Sequence, residues 1–105
     1  MSKIIITPKP PYYAVVFTSL KIVEDQGYDE MSQLMVEMVS KQEGFLGFES
    51  AREEIGITVS YWRDEESILK WKENLAHQKA RKMGKNLWYK HYRVRIAKVE
   101  KEYGL

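Results

Sequence analysis

Two tryptophans and a histidine stand close together in the middle of the sequence: Trp62, Trp71 and His77. A neutral imidazole can ligate a metal or move a proton near pH 7, and an indole ring offers a broad apolar wall. Each residue also has a structural interpretation, with His77 at the surface or capping a helix and the tryptophans packed in a core. Any chemistry suggested by the residues themselves therefore centres on this stretch.

Several classes of enzyme have no support in the sequence. The chain has no cysteine, which excludes disulfides, thiol nucleophiles, iron–sulfur clusters and cysteine-ligated zinc. It also has no recognisable Ser/His/Asp set, phosphate-binding loop or carboxylate cluster with metal-ligand spacing. We therefore expect neither hydrolase, kinase nor metalloenzyme chemistry.

Positive charge is concentrated in the second half of the chain, although the formal net charge is only +2. The basic residues of that half include Lys79, Arg81, Lys82, Lys85, Lys90, Arg93 and Arg95. Together with Trp88, Tyr89 and Tyr92 they resemble a nucleic-acid-binding pattern. These charges alternate, however, with apolar positions that an amphipathic helix and a half-buried strand need in any case. We expect no nucleic-acid partner.

No segment of the sequence is typical of a membrane span or a secretion signal. A span needs roughly 20 consecutive apolar residues, and no run approaches that length. The apolar part of residues 1–8 is too short for a secretion signal. The sequence predicts a cytoplasmic protein without a membrane partner.

The strand and helix that must position the two tryptophans follow one another directly. Residues 57–63 alternate in the period-two pattern of a strand, and an acidic triplet follows. Asp64 can cap the first free N–H groups of a helix, and Glu65 and Glu66 suit the positive end of its dipole. The pattern predicts a strand that feeds a helix with almost no loop.

Within that helix Trp71 shares one face with Ile68 and Leu75, while His77 falls well off it. A second apolar line, rotated by more than 90°, consists of Ala76, Ala80, Met83 and Leu87. One straight helix cannot bury both lines against one surface, so we expect a break near Asn74.

The remaining elements follow from hydrophobic periodicity. Both faces of the segment from Tyr12 to Leu20 are apolar, which is typical of a strand covered on both sides. The other predicted elements are a helix from Tyr28 with a stripe of Met31, Leu34, Met35, Met38 and Val39, a strand from Phe45, a hairpin turn at Glu53–Gly56 with Gly56 at the tight position, and a last strand from His91 to about Glu102.

The order β-α-β-β-α-β indicates a ferredoxin-like α+β sandwich with both helices on one face of a four-stranded antiparallel sheet. We expect residues 1–11 to form an N-terminal arm, because the prolines at its end cannot join a sheet interior, and residues 12–105 to form a single domain. The second sheet face is apolar and has no helix left to cover it. We therefore expect a homodimer through that face.

The sequence resembles the antibiotic-biosynthesis-monooxygenase-like proteins of the dimeric α+β barrel group. The features that carry the resemblance are the stretch from Gln42 to Ser50, Tyr61-Trp62 with Asp64-Glu65-Glu66, Trp71, His77-Gln78 with Ala80, and Trp88-Tyr89. They extend over nearly the whole chain from Tyr12 to Tyr103. The chain looks most similar to a poorly characterised bacterial subgroup with Trp-Lys-x-x-x-x-His-Gln.

The resemblance implies a cavity between the sheet and its own helices, and a monooxygenase that oxidises a hydrophobic aromatic compound without a tightly bound cofactor. It implies Trp71 as a wall of that pocket, with Trp62, Arg81, Trp88 and Tyr89 near enough in sequence to contribute. The catalytic candidates are then Trp71, Arg81 and Tyr89, and the pocket candidates are Trp62, Trp71, His77 and Trp88.

Two alternatives stay open. The family's haem-degrading branch resembles this chain too, and His77 would then be the axial ligand of haem, the one case in which a metal would bind. In that branch the histidine lies about ten residues beyond the tryptophan, against six here, so His77 is about one helical turn early. The other alternative is a non-catalytic dimer that binds a small hydrophobic molecule.

Overall fold

Four strands and two helices follow one another in the predicted order. The computed structural model describes residues 3–21, 28–78 and 89–105. Its elements are β1 (Tyr12–Lys21), α1 (Tyr28–Ser40), β2 (Phe45–Arg52), β3 (Gly56–Trp62), α2 (Glu65–Gln78) and β4 (Tyr89–Val99). None of the helices in the described ranges is long and apolar enough to cross a membrane.

The strands form one sheet in the order β2-β3-β1-β4, and every neighbouring pair is antiparallel. β1 is central, which agrees with the apolar residues on both of its faces. The first and last strands of the chain are therefore neighbours, as a ferredoxin-like α+β sandwich requires. The predicted fold class is confirmed.

Strand register defines the two faces of the sheet. Tyr13 lies opposite Trp62, so Trp62 shares a face with the odd-numbered residues of β1. The ring of Trp71 on α2 stacks against Trp62, so this face, here called the helix side, is the one that packs against α2. The opposite face, here called the open side, carries Tyr12, Ala14 and the other even-numbered residues of β1.

The start of α2 is capped as predicted. The Ser67 N–H donates to Asp64 Oδ1 at 2.8 Å. In the residue before Asp64, the Arg63 N–H donates to the Gly44 carbonyl at 2.7 Å. Gly44 has a φ of +85°, and a Cβ at this position would collide with the buried Ser67 side chain. The short connection from β3 to α2 is thus fixed by a cap and by a glycine from the preceding loop.

The predicted break near Asn74 is wrong, because α2 continues without interruption from Glu65 to Gln78. Ile68 on the first apolar line is buried, whereas Ala76, which begins the second line, is exposed. Within the range of α2, only the first apolar line therefore has to be buried against the sheet. An asparagine inside a helix also lowers the stability of the helix by less than about 0.7 kcal/mol. Ala80, Met83 and Leu87 lie outside the described residues.

The hairpin between β2 and β3 forms as predicted, but the role of its glycine differs. The turn closes with the Glu53 N–H donating to the Ile55 carbonyl at 3.2 Å. Gly56 is the first residue of β3, is buried, and is not among the glycines with positive φ. A Cβ at Gly56 would instead collide with the guanidinium of Arg52. Gly56 is needed for the space above it and not for the turn.

The arm formed by residues 3–8 lies on the open side. The Ile5 N–H donates to Glu49 Oε2 at 3.0 Å, and the Ile5 side chain packs above Gly47, whose φ is +142°. Farther along the arm, Thr7 Oγ1 donates to Glu102 Oε1 at 2.7 Å. Part of the face that has no helix is therefore covered by the chain's own N-terminal residues.

Candidate functional site

The two tryptophans of the central stretch lie against each other at one end of the helix side. Their ring centroids are 6.4 Å apart, with an interplanar angle of 28°. Trp62 is 0 % exposed, meets Phe45 edge-on at 5.3 Å and donates from Nε1 to Ser60 Oγ at 2.9 Å. Trp71 is only half-buried. Trp62 is thus a core residue in this structure, and Trp71 is the member of the pair with surface left for a ligand.

An apolar strip lies along the helix side of β4, two strands away from Trp62. Tyr92, Val94 and Ile96 lie opposite helix-side residues of β1, and each is 50 to 54 % exposed. Val94 is the neighbour of Phe17, which is half-buried. This strip is the part of the described helix side where an apolar molecule could lie against the sheet.

A cluster of aromatic rings lies at the other end of the strip. Tyr89 meets Phe17 edge-on, with ring centroids 5.2 Å apart, and lies 6.3 Å from Tyr92. Phe17 and Tyr92 are 5.6 Å apart with an interplanar angle of 32°. Tyr89 was a catalytic candidate, and the structure places it within this three-ring cluster.

Arg52 adds a cation to the aromatic cluster, and it is a residue that the sequence reasoning missed. Its Nη2 donates to Ser19 Oγ, and Cζ lies 6.0 Å from the centroid of the Tyr89 ring. Strict alternation from Phe45 would have placed Arg52 on the open side. The register shifts between Phe45 and Gly47, however, and this β-bulge moves Arg52 to the helix side.

The structure separates the candidate residues into two groups. Trp62 lies opposite Tyr13, whereas Tyr89 lies opposite Lys21, eight residues farther along β1. At about 3.4 Å per residue this is roughly 27 Å along the strand. Trp71 and Tyr89 are therefore candidates for opposite ends of the site.

The other candidates are less fully described. Position 77 lies in α2, six residues after Trp71, which corresponds to about 9 Å along the helix axis and about 120° around it. The His77 side chain lies outside the described part of the structure, as do Arg81 and Trp88. Their roles in a pocket stay predictions.

Two tyrosine–carboxylate pairs lie on the open side, away from these candidates. Tyr61 donates to Glu49 Oε1 and Tyr12 donates to Glu102 Oε1, both at 2.5 Å. Burial, reinforced by the hydrogen bond to Glu49, raises the pKa of Tyr61 to about 12. Burial and then the bond to Glu102 likewise raise the pKa of Tyr12. Both phenols stay protonated and keep donating to their carboxylates. The same carboxylates accept hydrogen bonds from Ile5 and Thr7 of the arm, so the two pairs hold the chain termini on the sheet.

Two further features carry no chemistry. A surface depression on α1 is lined by Ser32, Gln33, Val36 and Glu37, which follow one another along the exposed side of that helix. Across residues 3–21, 28–78 and 89–105, no three His, Cys, Asp or Glu side chains come together in a way that could hold a metal ion. The helix side of the sheet is therefore the best candidate for a site.

A family model described as antibiotic biosynthesis monooxygenase matches residues 15–83. A sequence relative is the uncharacterized protein YqjZ of Bacillus subtilis, which is 48 % identical over 98 residues. The match covers 91 % of this chain and 86 % of that protein. The resemblance to the family is confirmed by the family model.

Solved structures agree with the fold. A conserved protein from Methanosarcina mazei is similar with a TM-score of 0.68 and 18 % identity, over 83 % of this chain and 91 % of that one. The heme-degrader MhuD from Mycobacterium tuberculosis, solved with two hemes in its active site, has a TM-score of 0.58 and 18 % identity, over 87 % of this chain and 99 % of that one. The chain belongs to the antibiotic biosynthesis monooxygenase family.

Proposed function

We propose that this protein is a small monooxygenase that oxidises a hydrophobic aromatic compound without a tightly bound cofactor. The observation that carries the proposal is the half-exposed apolar strip of β4 on the helix side, which lies between the Trp71 end and the Tyr89 end. Family membership supports the reaction class. A flat aromatic molecule lying on this strip would be shielded from water on the sheet side.

The chemistry needs an acidic C–H group on an electron-rich ring system. The substrate loses a proton, and the resulting carbanion passes one electron to O₂. The radical pair combines to a C–O–O⁻ group, which takes up a proton and loses water to leave a ketone. The reacting carbon gives up its second hydrogen with the water, so one oxygen atom enters the product, the other leaves as water, and the substrate supplies all four electrons. Trp71 would form a dry wall, and Arg81 would stabilise the developing oxyanion of a substrate held there. Tyr89 would do so only for a substrate held at the other end of the strip.

Oxygen uptake in a metal-chelating buffer tests the proposal. A panel of anthrones and polycyclic hydroquinones should include compounds whose O₂ consumption rises above the uncatalysed rate in proportion to protein. Trp71→Ala should lower the rate at least about tenfold, and Trp71→Phe should lower it less because a ring remains. Leu69→Ala is the matched control, since Leu69 is an exposed residue of the same helix.

The absence of protein-dependent O₂ uptake across the panel would contradict the proposal. If the same compounds still bound with micromolar affinity, the alternative of a non-catalytic dimeric binding protein would take its place.

Haem binding and degradation is the second candidate function. It is supported by the fold likeness to MhuD and by a histidine on the same helix as Trp71. Positions 71 and 77 point about 120° apart around α2, however, so Trp71 and a ligand at position 77 would not meet one porphyrin from the same helix face. Titration of hemin should give no Soret shift that depends on His77, and a shift abolished by His77→Ala would restore this candidate.

A homodimer through the open side is part of the proposal. The open side of β1 and β3 carries Val16, Val59 and Ile57. Ile57 lies outside the region that the N-terminal arm covers, and 45 % of it is exposed. Burial of such side chains against a second copy would remove them from water. Sedimentation velocity should give the mass of a dimer for the unmodified chain and of a monomer for Ile57→Asp. Val94→Asp on the helix side is the control and should leave the dimer intact.

A further inference from the structure

One row of residues crosses the open side of the sheet from edge to edge. Glu49 in β2 lies opposite Val59 in β3. Val59 lies opposite Val16 in β1, and Val16 lies opposite Arg95 in β4. Neighbouring strands are about 4.8 Å apart, so roughly 14 Å separates the two charged positions. The row therefore has a negative charge on one edge strand, two valines in the centre and a positive charge on the other edge strand.

Neither charge of the row is neutralised within the part of the chain that the structure describes. Glu49 accepts hydrogen bonds from the Tyr61 hydroxyl and the Ile5 N–H, and both donors are uncharged. A carboxylate can accept about four hydrogen bonds, so Glu49 has capacity for more. Arg95 is exposed, and its guanidinium bonds to none of the described residues. Each side chain can therefore pair with an opposite charge on another molecule.

Exposed aliphatic side chains lie near the row. Ile57 is on the open side of β3 and is 45 % exposed. On the N-terminal arm, the Ile5 side chain packs above Gly47, whereas the neighbouring Ile4 and Ile6 are 85 % and 94 % exposed. Aliphatic surface gathered on one side of a molecule is typical of an interface with another protein. The open side thus combines an apolar surface with one charge at each edge.

This distribution of charge fits a second copy of the same chain and favours one orientation. A two-fold axis parallel to the strands, midway between Val59 and Val16, exchanges the two edges of the sheet. Arg95 of each copy then lies over Glu49 of the other. An axis across the strands would instead place like charges over each other, which is unfavourable. Packed sheets are about 10 Å apart, a distance that extended arginine and glutamate side chains span together.

We infer that the open side recognises a second copy through this row, with Arg95 of each copy paired with Glu49 of the other about a two-fold axis parallel to the strands. The inference rests on the homodimer of the proposed function and adds its orientation and the residues that give it specificity. Each pair occurs twice, because a two-fold interface uses the same surface of both copies. A guanidinium can donate two parallel N–H bonds to one carboxylate, which gives orientation as well as affinity.

Charge reversal at either end of the row tests the inference. In Arg95→Glu or in Glu49→Lys, a homodimer would hold two like-charge contacts, so its dissociation constant should rise at least about a hundredfold. An equimolar mixture of the two variants should form a mixed dimer, because both of its contacts again join opposite charges. The mixed dimer should be at least about ten times tighter than either homodimer. Sedimentation velocity measures the dissociation constants, and native mass spectrometry identifies the mixed dimer.

Lys98→Glu is the matched control, because Lys98 lies opposite Tyr13 on the helix side of the same strand. It should change the dissociation constant less than about twofold. Glu49→Lys also removes two internal hydrogen bonds, and circular dichroism shows whether this variant folds. Should it fail to fold, a comparison of Arg95→Glu with Arg95→Ala decides the matter. Alanine removes only the attraction, whereas glutamate adds repulsion and should weaken the dimer at least about a further threefold.

A dimer that Ile57→Asp dissociates but Arg95→Glu leaves unchanged overturns the inference alone. So does a mixture of the two folded variants that forms no mixed dimer. An unmodified chain that sediments as a monomer at every concentration removes the homodimer of the proposed function and this inference with it, and leaves the open side to a different partner. A mixed dimer formed as expected, without any O₂ uptake, would keep this inference and remove the monooxygenase.

Discussion

The Tyr61 hydroxyl donates to Glu49 Oε1 at 2.5 Å, and Glu49 Oε2 accepts from the Ile5 amide at 3.0 Å. One carboxylate therefore joins the phenol of a sheet residue to the backbone of the N-terminal arm. The hydrogen bond from Tyr61 and then the one from Ile5 hold the pKa of Glu49 below its usual value, despite an opposing effect of burial. This relationship gives two predictions about pH.

Tyr61 should ionise only near pH 12, well above an ordinary tyrosine. Its folded pKa is raised, so its contribution to stability is complete below pH 10 and is lost as the pH rises through about 12. Ultraviolet absorbance of tyrosinate should show a late-titrating fraction that is smaller by one tyrosine in Tyr61→Phe, where Tyr12 still titrates late. Tyr103→Phe is the control, because Tyr103 is fully exposed. A Tyr61 that titrates with the exposed tyrosines would contradict the structure.

Acid should release the N-terminal arm. The folded pKa of Glu49 is lowered, so its contribution is present above its unfolded pKa and is lost as the pH falls through the lower folded value. Hydrogen exchange at the Ile5 amide should be slow at pH 7 and about tenfold faster in Glu49→Gln. The matched control is Glu54→Gln in the exposed hairpin turn. Unchanged exchange at Ile5 would refute the tie between arm and sheet.

Gly44→Ala should destabilise the fold. Gly44 has a φ of +85° and lies against the side chain of Ser67, so an alanine would be strained and would also collide. We expect a loss of about 1–3 kcal/mol of unfolding free energy in urea denaturation. Gly44→Ala combined with Ser67→Ala should recover little of it, since only the contact with Oγ is removed, while the Ser67 Cβ at 2.6 Å and the backbone strain remain. Gly104→Ala, with open space around its Cβ, should be neutral.

Asp64→Ala should lower the melting temperature by removing the cap of α2. Hydrogen bonds from the Ser67 side chain and N–H, followed by one from Arg63, lower the pKa of Asp64 to about 2. The stabilisation by Asp64 is therefore full above about pH 4 and is lost as the pH falls toward 2. The melting temperatures of the two proteins should differ at pH 7 and converge near pH 2. A constant difference across this range would show that the carboxylate charge has no part in the cap.

The order of elements and the proximity of the two tryptophans could be predicted, because both depend on apolar residues that recur every two residues in a strand or every three to four in a helix. Alternation in residues 57–63 and the spacing from Ile68 to Trp71 determine which side chains face each other once the strand and helix exist. The cap at Asp64 is local in the same way and was also found.

The residues that were missed depend on pairings across long distances in the sequence. Glu102 meets Tyr12 from 90 residues away, and no periodic pattern indicates that contact. Arg52 was missed for a different reason. Its face is set by the bulge between Phe45 and Gly47, and a pattern of alternating residues does not indicate where one residue is skipped.

That bulge leaves Leu46 without a partner in the register of β2 with β3. If Leu46 instead took the place opposite Tyr61, strict alternation would be restored and the Arg52 end of β2 would turn over. If the Arg52 end turned, the cation would leave the Tyr89 cluster and the carboxylate of Glu49 would take its place on that surface. The one skipped residue, more than the composition of the strand, thus decides whether this end of the surface beneath the helices carries a cation or a carboxylate.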